Sequence, residues 1–267
     1  MKLLFYLFFA YVFVIILVYM TQRNFIYFPT QTAVTPREAG VPEMDEVAVT
    51  TEDGLTLKAW YKPPQNAEHP TLIYFHGNAG DIADRTFLMK SFLKEDFGVL
   101  LMTYRGYSGN PGNPTEKGLY HDARAALRFL IDKESEYIFA FGHSIGTAVA
   151  IQMASEFALK GLILQSPFPS LTEVGNYHFP FLPIYWLIKD RYDISESASK
   201  LKIPKLVIIG LDDTIVPPEI SLKLHEILPE PKTLKKVPHR GHNELFEPEI
   251  IIDFIKSTAA PHKDISN

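Results

Sequence analysis

Cysteine is absent from the 267 residues of this chain. A disulfide, a thiolate zinc site and a cysteine nucleophile are therefore excluded. The sequence also lacks a long run of basic residues, and its formal net charge is -5 at pH 7. Because proteins that bind nucleic acid carry clustered lysine and arginine, we expect no nucleic-acid partner. Internal repeats and low-complexity segments are missing as well, so the chain does not resemble a repeat protein.

Signals for a cofactor or a metal ion are equally sparse. The glycine-containing segment 107–114 lacks the G-K-[ST] of a phosphate-binding loop and is expected to form turns. His239 and His242 lie three residues apart on a predicted loop, but no further cluster of metal-binding side chains accompanies them. We therefore expect neither a cofactor nor a bound metal.

Charge is missing altogether from one stretch near the N-terminus. Residues 3–20, between Lys2 and Arg23, contain no charged side chain and are almost entirely apolar. About 18 such residues suffice to cross the hydrocarbon core of a bilayer as a helix. A cleaved signal peptide has a shorter apolar region and a small-residue cleavage site, and this run has neither. We therefore predict an uncleaved membrane anchor over residues 1–23.

The anchor leads into a segment without apolar periodicity, residues 24–45, which we expect to be a linker. Its aromatic residues Phe25, Tyr27 and Phe28 could serve either of two purposes, contact with the bilayer interface or packing on the following domain. The positive charges on the two sides of the anchor are nearly balanced. Of the two orientations, we expect the one that puts the rest of the chain on the extracytoplasmic side.

Strand-like and helix-like segments alternate from residue 46 to residue 260. Residues 46–51 and 55–61 surround Asp53-Gly54 and predict a hairpin. Short apolar runs typical of buried parallel strands follow, at 71–75, 99–103, 137–141, 162–164 and 206–209, and a further strand is expected at 233–237. Amphipathic helical patterns separate most of them, at 84–94, 116–131, 145–157 and 219–227, with a last one at 247–257.

This order of segments predicts an α/β domain over residues 46–260, with one mostly parallel sheet covered by helices on both faces. Asp122 falls on a helical pattern and is expected on its solvated face. Residues 166–193 are rich in proline and aromatics and interrupt the alternation. Long segments of this kind in compact domains are usually functional, so we predict a cap-like insertion there.

Ser144 occupies the centre of a G-x-S-x-G pentapeptide, Gly142-His143-Ser144-Ile145-Gly146. The pentapeptide directly follows the strand expected at 137–141 and precedes a helical pattern. A serine on such a tight turn has an exposed hydroxyl, and its neighbours must be small because the backbones approach closely. The N–H group of Ile145, at the start of the helix, can stabilise an oxyanion. The pattern predicts Ser144 as a nucleophile.

A serine nucleophile needs a histidine base and an acid that orients it, and on this scaffold the chain order is serine, acid, histidine. Asp212 and Asp213 follow the strand expected at 206–209, and His239 and His242 follow the strand expected at 233–237. The carboxyl ends of parallel strands lie at one edge of the sheet, where ligands bind. The order of the candidates is therefore correct.

These motifs resemble those of the α/β-hydrolase superfamily, and especially its small membrane-anchored branch, which includes thioesterase and lysophospholipase-like enzymes. The resemblance covers residues 25–254. It also rests on Tyr27-Phe28-Pro29, Thr51-x-Asp53-Gly54, Tyr74–Gly80, Tyr104–Tyr107, Ser166–Phe168, Asp190–Asp193 and Gly241–Asn243. It implies an α/β-hydrolase fold with a short cap insertion, preceded by one transmembrane helix. Thr147 and Glu244 depart from the family pattern without removing a catalytic atom.

The resemblance also implies the roles of individual residues. The family acid ends a G-x-x-D turn, which corresponds to Asp213, with Asp212 as the alternative. The family histidine follows the glycine of a G-H-N motif, which corresponds to His242. The loop after strand 71–75 resembles the family loop that supplies the second oxyanion-hole amide, assigned to Asn78 with Ala79 as the alternative.

Together these features predict a membrane-anchored serine hydrolase that cleaves carboxylic esters or thioesters through an acyl-enzyme. The anchor and the apolar insertion favour a lipid ester or an acylated protein as substrate. Two alternatives are a peptidase on the same scaffold and a non-catalytic, membrane-tethered binding protein. The second usually loses a member of the triad, and this chain has all three. The sequence makes no prediction of oligomeric state.

Overall fold

A computed structural model describes residues 1–245 and 247–259 of the chain. In that part of the chain, strands β1 to β10 are Phe28–Pro29, Asp45–Thr50, Thr56–Lys62, Thr71–Phe75, Ala79–Gly80, Gly98–Met102, Ile138–His143, Gly161–Gln165, Lys205–Gly210 and Lys232–Val237. Helices α1 to α10 are Lys2–Thr21, Arg23–Ile26, Thr86–Leu93, Glu116–Asp132, Ile145–Glu156, Leu171–His178, Ile184–Leu187, Ser195–Ser199, Pro218–Ile227 and Pro248–Ala259.

The main sheet has the strand order β10-β9-β8-β7-β4-β6-β3-β2. The strand pairs β2–β3 and β3–β6 are antiparallel. All the other neighbouring pairs of the sheet are parallel, namely β6–β4, β4–β7, β7–β8, β8–β9 and β9–β10. Parallel strands need crossover helices, and these helices cover both faces of the sheet. Helices α4, α5 and α9 contribute to the core on one face, and α3 and α10 to the core on the other. The mostly parallel α/β-hydrolase architecture expected from the sequence is confirmed.

The central strand β4 illustrates why the apolar runs predict buried strands correctly. All five of its residues are buried. Successive side chains of a strand point to opposite faces, so Ile73 and Phe75 enter one core while Leu72 and Tyr74 enter the other. A strand covered on both sides is mostly apolar, and after Thr71 this is the pattern seen in the sequence.

The segment 24–45, expected to be a linker, is built into the domain instead. Strand β1 pairs in parallel with β5, which follows β4. Tyr27 is buried, and its hydroxyl lies 2.9 Å from that of Tyr192. Phe25 and Phe28 remain exposed. Of the two purposes considered for these aromatic residues, packing on the domain therefore applies to Tyr27. The pairing of β1 with β5 was not expected, because so short a strand has no periodicity to detect.

Helix α1 projects from this domain. It has 20 residues with a mean hydropathy of 2.7 over its most apolar window, and none of its residues is buried against the rest of the chain. Its length and composition suffice to cross a membrane. The expected insertion, residues 166–193, contains the short helices α6 and α7. At the other end, residue 260 of the expected domain lies outside the described residues.

Asp122 is buried rather than solvated, which corrects the sequence interpretation. Its carboxylate accepts hydrogen bonds from the backbone N–H and the Nε of Arg105, at 2.9 and 2.8 Å. The same guanidinium binds the Asp53 carboxylate through two bonds of 2.7 and 3.0 Å. Although burial opposes its charge, these bonds raise the pKa of Arg105. The cluster thereby joins the β2–β3 turn to the loop after β6 and to α4.

We predict that Asp122→Ala lowers the free energy of unfolding by about 3 kcal/mol, because it leaves a mostly buried guanidinium short of one partner. Urea unfolding in detergent, followed by circular dichroism, measures this change. The matched control is Glu196→Ala, which removes an exposed carboxylate paired with Lys200. That control should change stability by less than about 0.5 kcal/mol. Equal effects of the two substitutions would contradict a structural role for the Arg105 cluster.

Candidate active site

Ser144 stands at the junction between β7 and α5 in a strained backbone conformation. Its φ of 53° and ψ of -122° lie in a region that residues with a side chain rarely adopt. The surrounding backbone holds it there. The Ser144 N–H donates to Gln165 O over 2.9 Å, and its carbonyl accepts from the N–H and the hydroxyl of Thr147 at 2.8 and 2.6 Å. These bonds fix the turn on which the serine hydroxyl is presented.

The two glycines of the pentapeptide allow this turn to form. A Cβ atom on Gly142 would collide with the backbone of Gly146, one turn further along. A Cβ atom on Gly146 would in turn collide with the carbonyl of Phe75, at the end of β4. The small residues in the motif are therefore required by contact between backbones, as the sequence pattern predicts.

Asp213 and His242 form a buried pair at the carboxyl edge of the sheet. His242 Nδ1 lies 2.7 Å from Asp213 Oδ2, and their side chains are 7% and 1% exposed. The Ser166 hydroxyl donates to the same carboxylate oxygen over 2.8 Å, and the N–H groups of Ile215 and Val216 donate to the other at 2.9 and 2.8 Å. Burial opposes ionisation, but the hydrogen bonds, above all the one to His242, lower the pKa of Asp213.

The alternative pair lies at the surface. Asp212 and His239 are 62% and 93% exposed, and the nearest oxygen and nitrogen atoms of the two side chains are 3.9 Å apart. An exposed pair at this distance holds neither group in one orientation. The structure therefore brings Asp213 together with His242 and leaves the other two residues in solvent.

His143 connects the loop that carries His242 to the turn that carries Ser144. Its Nε2 lies 3.2 Å from the His242 carbonyl oxygen, and the centres of the two rings are 4.9 Å apart. Burial and the neighbouring His242 hold the pKa of His143 well below its ordinary value, so this ring is neutral at neutral pH. Among the described residues, no hydrogen bond joins the Ser144 hydroxyl to His242. Such contacts are often long before substrate binds.

The loop after β4 lies directly against the serine. A Cβ atom on Gly77 would stand 3.5 Å from the Cβ of Ser144. The next residue, Asn78, uses its side chain to donate to Ile26 O over 2.9 Å. Its carbonyl accepts from Phe28 N at 2.9 Å and from the Tyr107 hydroxyl at 2.8 Å. The Asn78 side chain is thus committed to the loop's structure, and its backbone N–H is the group available to an oxyanion.

Ala79, the alternative donor, belongs to β5 and is exposed. Ile145 is the first residue of α5, so its N–H has no acceptor within that helix. The N–H groups of Asn78 and Ile145 therefore lie on the two backbone segments that meet at Ser144. His76, just before the loop, is buried against Tyr104, and burial lowers its pKa to about 3.

Sequence reasoning gave no role to Ser166 or to the backbone of Ile26 and Phe28. For Ser166 a signal existed, because it follows β8 just as Ser144 follows β7 and Asp213 lies just beyond β9. A polar residue after each of three neighbouring parallel strands falls on the same edge of the sheet. Tyr27-Phe28-Pro29 contributed to the family resemblance, but that resemblance gave these residues no role. In residues 1–245 and 247–259, no group of three or more histidine, aspartate or glutamate side chains could hold a metal ion.

The fold and this edge of the sheet are those of an α/β-hydrolase. A family model described as "Serine hydrolase (FSH1)" matches residues 20–242, and the chain belongs to this family of serine hydrolases. Uncharacterized protein Rv2307c of Mycobacterium tuberculosis is 40% identical over 249 residues, which cover 91% of this chain and 89% of that protein.

Two further comparisons extend this result. Lysophosphatidylserine lipase ABHD12 of Danio rerio is 29% identical over 228 residues, which cover 77% of this chain and 57% of that protein. Among solved structures, the esterase Pf2001 of Pyrococcus furiosus superposes with a TM-score of 0.71 at 22% identity, covering 87% of this chain and 100% of that one. The resemblance to α/β-hydrolases stated from the sequence is confirmed, and the chain is a hydrolase by family.

We predict that Asp213→Asn lowers kcat for a p-nitrophenyl ester by a factor on the order of 10⁴, because an amide cannot hold the imidazole in the required tautomer. Asp212→Asn is the matched control, one residue away and exposed, and should leave kcat nearly unchanged. His242→Ala and His239→Ala form a second pair with the same expected ranking. A larger loss in the exposed member of either pair would overturn that assignment.

Proposed function

We propose that this chain is a membrane-anchored serine hydrolase that cleaves lipid esters or thioesters, with Ser144 as nucleophile, His242 as base and Asp213 as orienting acid. The observation that carries the proposal is the buried Asp213–His242 hydrogen bond of 2.7 Å beside a strained serine turn. With Nδ1 engaged by a carboxylate, the Nε2 atom of His242 is the one left to accept a proton.

In the proposed first step, His242 Nε2 takes the hydroxyl proton of Ser144 as Oγ attacks the acyl carbonyl carbon. The N–H groups of Ile145 and Asn78 hold the negative oxygen of the tetrahedral intermediate. When that intermediate collapses, the bond to the leaving oxygen or sulfur breaks, and the leaving group takes the proton from His242. This step requires Oγ and Nε2 to come within hydrogen-bond distance when substrate binds.

In the second step, a water molecule attacks the acyl-enzyme and gives its proton to His242. Collapse of the new intermediate releases the carboxylic acid, and the proton returns to Ser144. Asp213 stays ionised throughout and stabilises the imidazolium, which suits a carboxyl whose pKa is lowered by its hydrogen bonds. None of these steps calls for a group outside the chain other than substrate and water.

The surroundings of this edge support the proposed substrate class. His178, at the end of α6, lies with Nε2 2.9 Å from Ile215 O, so the insertion contacts the loop that carries Asp213. Ile215 and Leu211 on that loop are exposed apolar side chains, as are several aromatics of the insertion. An apolar surround favours an acyl chain. The similarity to a lysophosphatidylserine lipase supports an ester of a single-chain phospholipid.

The nucleophile is tested by labelling the full-length protein with a fluorophosphonate probe. We expect Ser144→Ala to abolish labelling and to lower ester turnover by at least about 10⁴. Ser155→Ala is the matched control, because Ser155 lies near the end of α5, the helix that Ser144 precedes, and is exposed. That variant should label and turn over like the parent. Labelling of Ser144→Ala would show that another residue is the nucleophile.

The substrate class is tested with lysophospholipids of increasing acyl length, supplied below their micelle concentration. Burial of one methylene contributes about 0.8 kcal/mol to binding, so kcat/KM should rise by up to about fourfold per added methylene. The rise should stop when the acyl chain covers the apolar surface around the site. Short p-nitrophenyl esters and a peptide series are measured in parallel. Rates independent of acyl length, or faster cleavage of the peptides, would contradict the lipid-ester proposal.

A further inference from the structure

The polar end of α1 is attached to the insertion by hydrogen bonds, in addition to the covalent chain. Gln22 is buried, and its Nε2 donates to Leu187 O over 2.9 Å while its Oε1 accepts from Lys189 N at 2.7 Å. These two bonds engage backbone groups, so they fix the position of the segment and not merely of a side chain. The end of α1 thus sits at the level of residues 187–189.

An ion pair strengthens this attachment. Arg23 binds the Asp190 carboxylate through two hydrogen bonds of 2.8 and 3.1 Å. The Asp190 side chain is only 4% exposed, and it also accepts from Glu116 N at 3.2 Å. A buried carboxylate bound in two places leaves the arginine little freedom. The anchor is therefore held rigidly against both the insertion and the start of α4.

A second contact lies much further along α1. The Tyr11 hydroxyl donates to Phe181 O over 2.7 Å. Between Tyr11 and the end of the helix at Thr21, α1 rises about 15 Å at about 1.5 Å per residue. The hydrocarbon region of one leaflet is also about 15 Å thick, half of the whole. Residues 179–188, which we call the tip of the insertion, thus run beside α1 over a length equal to the thickness of one leaflet.

The composition of the insertion suits this position. Residues 174–188 include no aspartate, glutamate, lysine or arginine. Large side chains are exposed there, and we call the following set the aromatic face: Tyr177, Phe179, Phe181, Tyr185 and Trp186. A contiguous exposed apolar surface of this kind marks a contact with a partner or a membrane. Lys189 and Arg191 border it, and each stacks on a tyrosine ring, at 4.1 and 4.9 Å.

The backbone of the tip is also largely satisfied internally. Residues 179–188 include two prolines, which have no N–H. Six of the other eight N–H groups, at 179, 182, 184, 186, 187 and 188, donate to carbonyls of the insertion itself. The Phe181 carbonyl is capped by Tyr11 from α1. Because hydrocarbon offers no hydrogen-bond partners, a segment that enters it needs such internal bonds.

We infer that residues 179–186 of the insertion penetrate the leaflet that α1 crosses. The inference rests on the proposed membrane anchor. The partner is the bilayer itself, because the aromatic face is continuous with α1 and is attached to it at both ends. Phe181, opposite Tyr11, lies deep in the leaflet, and Trp186, next to the Gln22 contact, lies near the headgroups.

The two tryptophans of the chain make this arrangement measurable. Trp60 is buried in the core at 1% exposure, whereas Trp186 is 79% exposed. The full-length protein is placed in vesicles of phosphatidylcholine and phosphatidylglycerol that carry a nitroxide either near the headgroup or near the end of the acyl chain. We expect the headgroup-level nitroxide to quench Trp186 more strongly. Trp186→Phe removes the fluorescence that the nitroxides quench, and only the fluorescence of the buried Trp60 remains.

A second reporter tests depth. In the variant Phe181→Trp/Trp186→Phe, the nitroxide near the chain end should quench more strongly than the one near the headgroup. The matched control is Ile131→Trp/Trp186→Phe, because Ile131 is exposed near the far end of α4 from Asp190. That tryptophan should respond to iodide in water and to neither lipid nitroxide.

The outcomes separate this inference from the proposed function. Iodide quenching at residue 181 without lipid quenching would overturn it, as would stronger quenching by the headgroup-level nitroxide at both 181 and 186. Failure of the protein to float with vesicles would refute the anchor itself. The fluorescence does not depend on hydrolysis, so the whole series can be repeated in Ser144→Ala. A failed nucleophile assignment would leave the quenching result unaffected.

Discussion

Contact between two backbones, where α5 begins beside the end of β4, is the constraint on which the candidate site depends. Gly146 has no room for a Cβ atom because the Phe75 carbonyl occupies that space. This contact sets the serine turn directly against the loop that starts at Gly77. One close approach therefore determines the distance between the proposed nucleophile and the proposed oxyanion donors. The acid and the histidine come from β9 and β10 at the same edge, so their positions follow from the parallel sheet.

The loop that lies against Ser144 is itself held by the segment that follows α1. Asn78 bonds to Ile26 and Phe28, and β1 pairs with β5 directly after it. The same few residues continue from Arg23, which is paired with Asp190 of the insertion. Helix α1, the insertion and the loop that starts at Gly77 are thus parts of one connected unit, with no flexible tether between them. In this unit, the orientation of α1 fixes the orientation of the candidate site.

Sequence patterns were sufficient for the regular part of the molecule. Buried parallel strands and amphipathic helices carry strong periodic signals, and the pentapeptide specified its own strand–turn–helix context. The patterns failed where burial depends on partners distant in the chain. Asp122 looked solvated because a helix pattern does not reveal Arg105, and residues 24–45 looked like a linker because a two-residue strand has no period. The role of Ser166 could have been deduced from its position after β8, whereas the Asn78–Ile26 bond could not.

The aromatic face and α1 make physical sense only together. A domain that exposed Phe179, Phe181 and Trp186 to water would carry an aggregation-prone surface, since isolated apolar residues are tolerated but contiguous ones are not. The Tyr11 hydroxyl, part-way along α1, for its part has its hydrogen-bond acceptor in the Phe181 carbonyl. A flexible tether would bring the domain to the membrane equally well, but it would not align Phe181 with Tyr11 or bury Gln22. The buried polar contacts at the end of α1 therefore fix the orientation of the helix relative to the domain, which a flexible connection would leave free.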